Sequence, residues 1–168
     1  MRKYYLSMMV VLLALMVGAV SCNNNPVVED PYVGDYNFRM ITDSLSTDGL
    51  EEWFSAEEYA QMTGQAEDDM FGVMTISKTG DIYSVFGALV DEGDTVELFS
   101  TTGKLDAQKN LVLNNSTTTV EETGVTVDFK FRKIAPPVDN VLTFKVQMDM
   151  HLGSMLFGYI MTTIAEKE

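Results

Sequence analysis

Cys22 is the only cysteine among 168 residues, and it follows at once on an apolar run from Met8 to Val17 and the residues Gly18, Ala19, Val20 and Ser21. A lone thiol excludes an internal disulfide framework, and an unpaired thiol is unusual in an oxidising exported protein. The other groups that could do chemistry argue against a reaction. One histidine, His151, excludes a metal site built from several histidines, and no G-x-S-x-G elbow accompanies it for Ser-His-Asp catalysis. Carboxylate pairs arise by number alone among 25 acids, so their presence carries no information. Phosphate-cradling glycine motifs are absent. The acid runs Glu67-Asp68-Asp69 and Asp91-Glu92-Gly93-Asp94 lack the spacing of a calcium loop and read as solvated turns. The expectation is a protein without catalytic residues, metal or cofactor.

Cys22 takes its meaning from what precedes it. Arg2 and Lys3, the apolar run and the small residues form a secretory signal over residues 1–21. The apolar stretch is shorter than the ~20 residues of a spanning helix and ends in Asn23-Asn24-Asn25-Pro26. The segment Ala19-Val20-Ser21-Cys22 resembles the processing site of bacterial lipoprotein precursors, with Ser21 as the small residue before the cysteine. That resemblance implies cleavage before Cys22 and acylation of its thiol and then of its freed amino group. Several acyl chains anchor stably where one anchors only reversibly, each buried methylene contributing about 0.8 kcal/mol. Residues 22–32, polar and containing Pro26 and Pro31, would be the tether, and Cys22 the link to the membrane. Asn23 is not the aspartate associated with inner-membrane retention, so the resemblance implies an outer-membrane location.

Removal of Arg2 and Lys3 would leave nine bases against 25 acids. The acids crowd the first half: Cys22–Gly103 holds 17 of them with only Arg39 and Lys78 as bases, while Lys104–Glu168 is nearly balanced. Such a surface repels phosphate backbones and excludes nucleic acid as a partner. It also disfavours electrostatic docking on anionic lipid.

The remaining chain is long enough for one domain, residues 33–168. Its periodicity is two. Tyr36, Phe38 and Met40 alternate with polar neighbours, as do Val125, Val127, Phe129 and Phe131, and then Leu142, Phe144, Val146, Met148 and Met150. Each run offers one apolar and one wet face, the antiparallel pattern. Turn signals at Lys78-Thr79-Gly80-Asp81, Asp91-Glu92-Gly93-Asp94, Glu122-Thr123-Gly124 and His151-Leu152-Gly153-Ser154 separate about eight strands. The exception is 43–69, where Ser55-Ala56-Glu57-Glu58 has the form of a capping box and Gly64 fits a helix stop. There Leu50, Trp53, Ala56 and Ala60 share one side at helical spacing, which predicts a short helix or two successive turns. Eight strands in sequence order must close or expose their edges. The expected fold is therefore all-β, an up-and-down antiparallel β-barrel of about eight strands with a short helical insertion after the first strand, and an open sandwich is the alternative.

This plan resembles the lipocalin-like, or calycin, group, as found in small lipoproteins of gut Bacteroidota. Val33-Gly34-Asp35-Tyr36 opens the first strand as Gly-x-Trp does in lipocalins, with Tyr36 in the tryptophan's place. The resemblance implies a barrel floor closed by Tyr36 and a lid formed by 43–69 with Trp53. Tyr36, Phe38, Met40, Trp53, Phe129, Phe131, Phe144 and Met148 would line an adaptable pocket for a small apolar ligand. The competing expectation is that these side chains fill the barrel and the protein docks a partner instead. Residues 155–161 are apolar on both faces, so that strand is covered or forms an interface through Leu156, Tyr159 and Ile160. A transmembrane barrel is disfavoured by the signal, the helical insertion and the charged end Glu166-Lys167-Glu168.

Overall fold

The computed structural model describes residues 29–47, 49–64, 69–91, 94–120 and 123–168. Residues 1–28, with the expected signal and Cys22, lie outside the described residues, as do Glu67, Asp68 and Glu92.

The described residues are mostly β, with 68% of them in strands and one short helix among them. In order these are β1 (Gly34–Ser46), β2 (Phe54–Ser55), α1 (Ala56–Thr63), β3 (Met70–Thr79), β4 (Ile82–Asp91), β5 (Asp94–Leu105), β6 (Leu111–Leu113), β7 (Ser116–Val120), β8 (Val125–Phe131), β9 (Val141–Leu152) and β10 (Met155–Lys167). They form one curled antiparallel sheet in the order β6-β5-β4-β3-β1-β10-β9-β8-β7, with β2 paired beside β1. β3 to β6 and β7 to β10 are thus two meanders of successive hairpins, and β1 lies between them, paired with β3 on one side and β10 on the other.

The alternation sets the inside of the curl. Tyr36, Phe38 and Met40 are buried from β1, Met74 and Ile76 from β3, Tyr83 and Val85 from β4, Val127 and Phe129 from β8, and Leu142, Phe144, Val146 and Met148 from β9. In β5 the register against β4 shifts between Gly87 and Ala88, which adds one residue to β5. This bulge puts two successive side chains, Leu98 and Phe99, into the core. The Phe99 ring then meets Phe129 at 5.6 Å and Phe131 at 5.0 Å between centroids. Each buried phenylalanine contributes ~1.5–3 kcal/mol, so this cluster is a principal weld between the two meanders.

The two outermost strands of the sheet are consecutive in the chain. Residues 111–113 pair with β5, Asn114 donates its N–H to the Thr102 carbonyl at 2.8 Å, and from Ser116 the backbone pairs with β8. Leu111 also exchanges two hydrogen bonds with Ile134, of 2.8 and 2.9 Å, just beyond β8. β7 was not among the eight expected strands, because Ser-Thr-Thr-Thr-Val shows no apolar alternation. The helix is shorter than the spacing of Leu50 and Trp53 suggests. It begins only at Ala56, after the Ser55 cap, with Glu58 returning the capping bond, and stops at Gly64 in the left-handed conformation. Leu50 precedes it in a turn, and Trp53 comes in irregular chain just before β2.

Tyr32, at the end of the expected tether, is fully buried, and the packed part of the molecule includes Asp30–Tyr32. Its hydroxyl reaches the carbonyls of Lys109 (2.9 Å) and Ile134 (3.0 Å). Replacing Tyr32 with Phe removes both bonds and should cost about 1–2 kcal/mol, read as a lower urea midpoint at unchanged m-value.

Candidate functional site

The curl has two unlike ends. At the end where β1 begins, three tyrosines close the interior. Tyr36 donates to the Tyr32 carbonyl at 2.7 Å, and Tyr32 packs edge-on against Tyr83 with ring centroids 5.9 Å apart. Tyr83 donates to Asp30, which also accepts from the Lys78 ammonium (2.7 Å) and the Tyr32 backbone N–H (3.1 Å). Burial drives the Tyr32 and Tyr36 hydroxyls up to about 12, so both stay protonated donors at any physiological pH. Burial alone would raise the Asp30 carboxyl, but its bonds from Lys78, Tyr83 and Tyr32 outweigh that and hold it below the usual aspartate value. No sequence pattern marks Asp30, Tyr32 and Tyr83 as a unit; residues far apart meet here because strand ends converge.

The opposite end is apolar and more exposed. Val96 and Val120 sit in register with Leu89 and Val125, on the side of the sheet that carries the core, yet Val96 is 54% and Val120 37% exposed. Met70, Leu89, Val125, Met150 and Tyr159 pack on the core from the same end, each half-buried. Between β5 and β7 no ladder is formed here, because β7 has turned to β8.

Between these ends lie the residues expected to line a pocket. Tyr36, Phe38, Met40, Phe129, Phe144 and Met148 are all buried in one core cluster, with Phe131 half-buried against it. Trp53 stands apart from them. It packs with Leu50 on Gly158 of β10, where a Cβ would lie 2.7 Å from the indole edge. Gly158 is three residues from inward-facing Met161, so this contact is on the outer face of β10. The insertion therefore covers the strand expected to be apolar on both sides, and Gly49 donates to the Leu156 carbonyl at 3.3 Å. Leu156, Tyr159 and Ile160 are each half-buried. Two hydroxyls inside the sheet, of Ser116 and Thr163, have no hydrogen-bond partner.

His151 is on the outer face, with Nε2 3.1 Å from Asp128, which also accepts from the Thr117 hydroxyl at 2.6 Å. The Thr117 bond foremost, then that of His151, holds the Asp128 carboxyl low despite some burial. No serine or cysteine nucleophile joins them in these bonds.

No family model matches the chain, and neither the curated proteins nor the solved structures give a match.

Two outcomes follow from this geometry. A group with a lowered carboxyl stabilises the fold fully above the ordinary aspartate value and loses that contribution as pH falls through its folded value. The urea midpoint should therefore fall with pH below the ordinary value of 3.8, and Asp30→Asn should flatten that fall while lowering the midpoint at pH 7. Gly158→Val forces the indole of Trp53 off β10, at a cost of ~1–3 kcal/mol, with a red shift of its fluorescence.

Proposed function

We propose that the protein is an exported, lipid-anchored lipoprotein whose domain is an eight-stranded lipocalin-like barrel that binds a small apolar ligand. The observation that carries this reading is the contrast between the ends: a tyrosine floor with every hydroxyl engaged, and a far end whose inward-facing Val96 and Val120 stay exposed. Residues 111–120 act as one bent strand that bonds β5 first and β8 afterwards, which makes eight strands and a closed cylinder of the sheet. A barrel of that size holds one small ligand or fills with side chains. The ligand enters between β5 and β7 and displaces methionine and phenylalanine side chains around Phe129, Phe144 and Met148. Methionine suits that task because its thioether chain is flexible. The unpartnered hydroxyls of Ser116 and Thr163 offer a polar group a place inside. Cys22, acylated, holds the domain at the outer membrane.

A second reading, an envelope protein that docks a partner with its core filled, is favoured by the complete burial of Phe129 and by the exposed Phe71 and Phe86 on the outer face.

The test uses the chain from residue 22 with Cys22→Ser and the neutral fluorophore N-phenyl-1-naphthylamine. Saturable binding at one site per chain is expected, lost in Val96→Asp and Met148→Asp variants that remain folded by circular dichroism. No binding, with native mass spectrometry showing an empty monomer, would reject the pocket and leave the docking protein. For the anchor, labelled palmitate should enter the wild-type chain in a bacterial host and not Cys22→Ala.

A further inference from the structure

The outer surface at the floor end carries a second site. Ile82, Gly103, Leu105 and Val112 line a groove of about 490 Å³, which shares Lys104 and Leu105 with a neighbouring hollow of about 370 Å³. That hollow is edged by Lys78, Asp81, Tyr83 and Lys109. Together they have the size of a small-molecule site. Ile82 (46%) and Val112 (39%) are exposed apolar side chains, and Val112 lies directly across from Lys104 in the β5–β6 ladder. Directly opposed side chains are near neighbours, so an apolar shelf adjoins an ammonium group.

The charges make this corner unusual for so acidic a chain. Arg39, Lys78, Lys130, Lys133 and Lys145 each pair with an aspartate. Four bases have no carboxylate partner among the described residues, Lys104, Lys109, Arg132 and Lys167, and of these Lys104 and Lys109 both edge this one hollow. Lys109 is held in place by its loop. The Asp106 carboxylate accepts the backbone N–H groups of Gln108 and Asn110, both at 2.9 Å, and the Lys133 ammonium at 2.9 Å. Lys133 foremost, with these further bonds, pulls the Asp106 carboxyl down to about 2 against a burial effect of opposite sign, so that acid is already occupied. Lys109 itself takes φ +67°, and its carbonyl accepts the Tyr32 hydroxyl. The floor that closes the interior thus also positions a cation on the outside.

We propose that this groove binds a free, single-chain amphiphilic anion, its sulfate or carboxylate head between Lys104 and Lys109 and its alkyl part over Ile82 and Val112. This site is separate from the interior pocket proposed above, and the two stand or fall independently. The experiment titrates the chain from residue 22, carrying Cys22→Ser, with octyl sulfate below its micelle concentration, followed by amide NMR. Inorganic sulfate and 1-octanol are the controls. Octyl sulfate should bind at least tenfold more tightly than either and shift the amides of Ile82, Gly103–Leu105 and Val112. Lys104→Gln with Lys109→Gln, and separately Val112→Asp, should each weaken it at least tenfold, with naphthylamine binding unchanged. Equal affinity in the lysine variant, or shifts gathered at Phe144 and Met148, would overturn the surface site. Loss of naphthylamine binding alone would count only against the interior pocket.

Discussion

The ladders that β1 makes on its two sides hold the molecule together. β1 runs beside β3 from Gly34 to Met40 and beside β10 from Tyr36 to Ser46, the second pairing joining residues well over a hundred positions apart. Apart from the two-residue pairing of β1 with β2, every other ladder among the described residues belongs to a local meander or to the connecting stretch 111–120. Loop-closure entropy grows only slowly with length, so this distant pairing costs little more in stability than a nearer one, although it slows folding. Its return is large: Tyr36, Phe38 and Met40 complete a core to which neither meander would otherwise close, since each bears its apolar residues on one face. The bulge at Thr42/Ser44 then turns the end of β1 towards β2 and the Trp53 segment.

The floor depends on the same strand. Tyr36 is buried because β1 starts there, and its hydroxyl fixes the Tyr32 carbonyl; Tyr32 in turn spans to Lys109 and Ile134. One aromatic residue thereby ties the first described residues to both ends of the sheet path, beside the Leu111–Ile134 bridge. Buried phenols are costly unless bonded, and all three here are bonded. The bonds tie this end together, whereas the opposite end has an apolar, half-buried rim.

The electrostatics follow the same division. Paired lysines each meet an aspartate of another strand or loop, as Lys130 does with buried Asp149 on the next strand and Lys145 with Asp43 two strands away. The exposed pairs among them, such as Lys145 with Asp43, contribute little to stability. Of the four described bases left unpaired, Lys104 and Lys109 edge the same hollow, which is why their corner stands out.

Much of this was legible from residues alone, for a physical reason: alternation records which face of a strand is wet. The strands around Tyr36, Phe129 and Phe144, the hairpin at Gly80 and the cap formed by Ser55 and Glu58 all follow from local pattern and local bonds. What depends on distant parts of the chain was not legible. β7 has threonines where a pattern would need apolar residues, and it becomes a strand because β8 offers it hydrogen-bond partners. Tyr32 sits in a polar, proline-bearing stretch and is buried only because Tyr83, Lys109 and Ile134, from three distant parts of the chain, meet it. Trp53, spaced for a helix, instead sets the edge of its indole against a glycine a hundred residues away, where the absence of a Cβ leaves room for it. The grouping of Lys104 with Lys109, and of both with Val112, likewise exists only once β5 and β6 have paired, since ladder register rather than sequence spacing sets those neighbours.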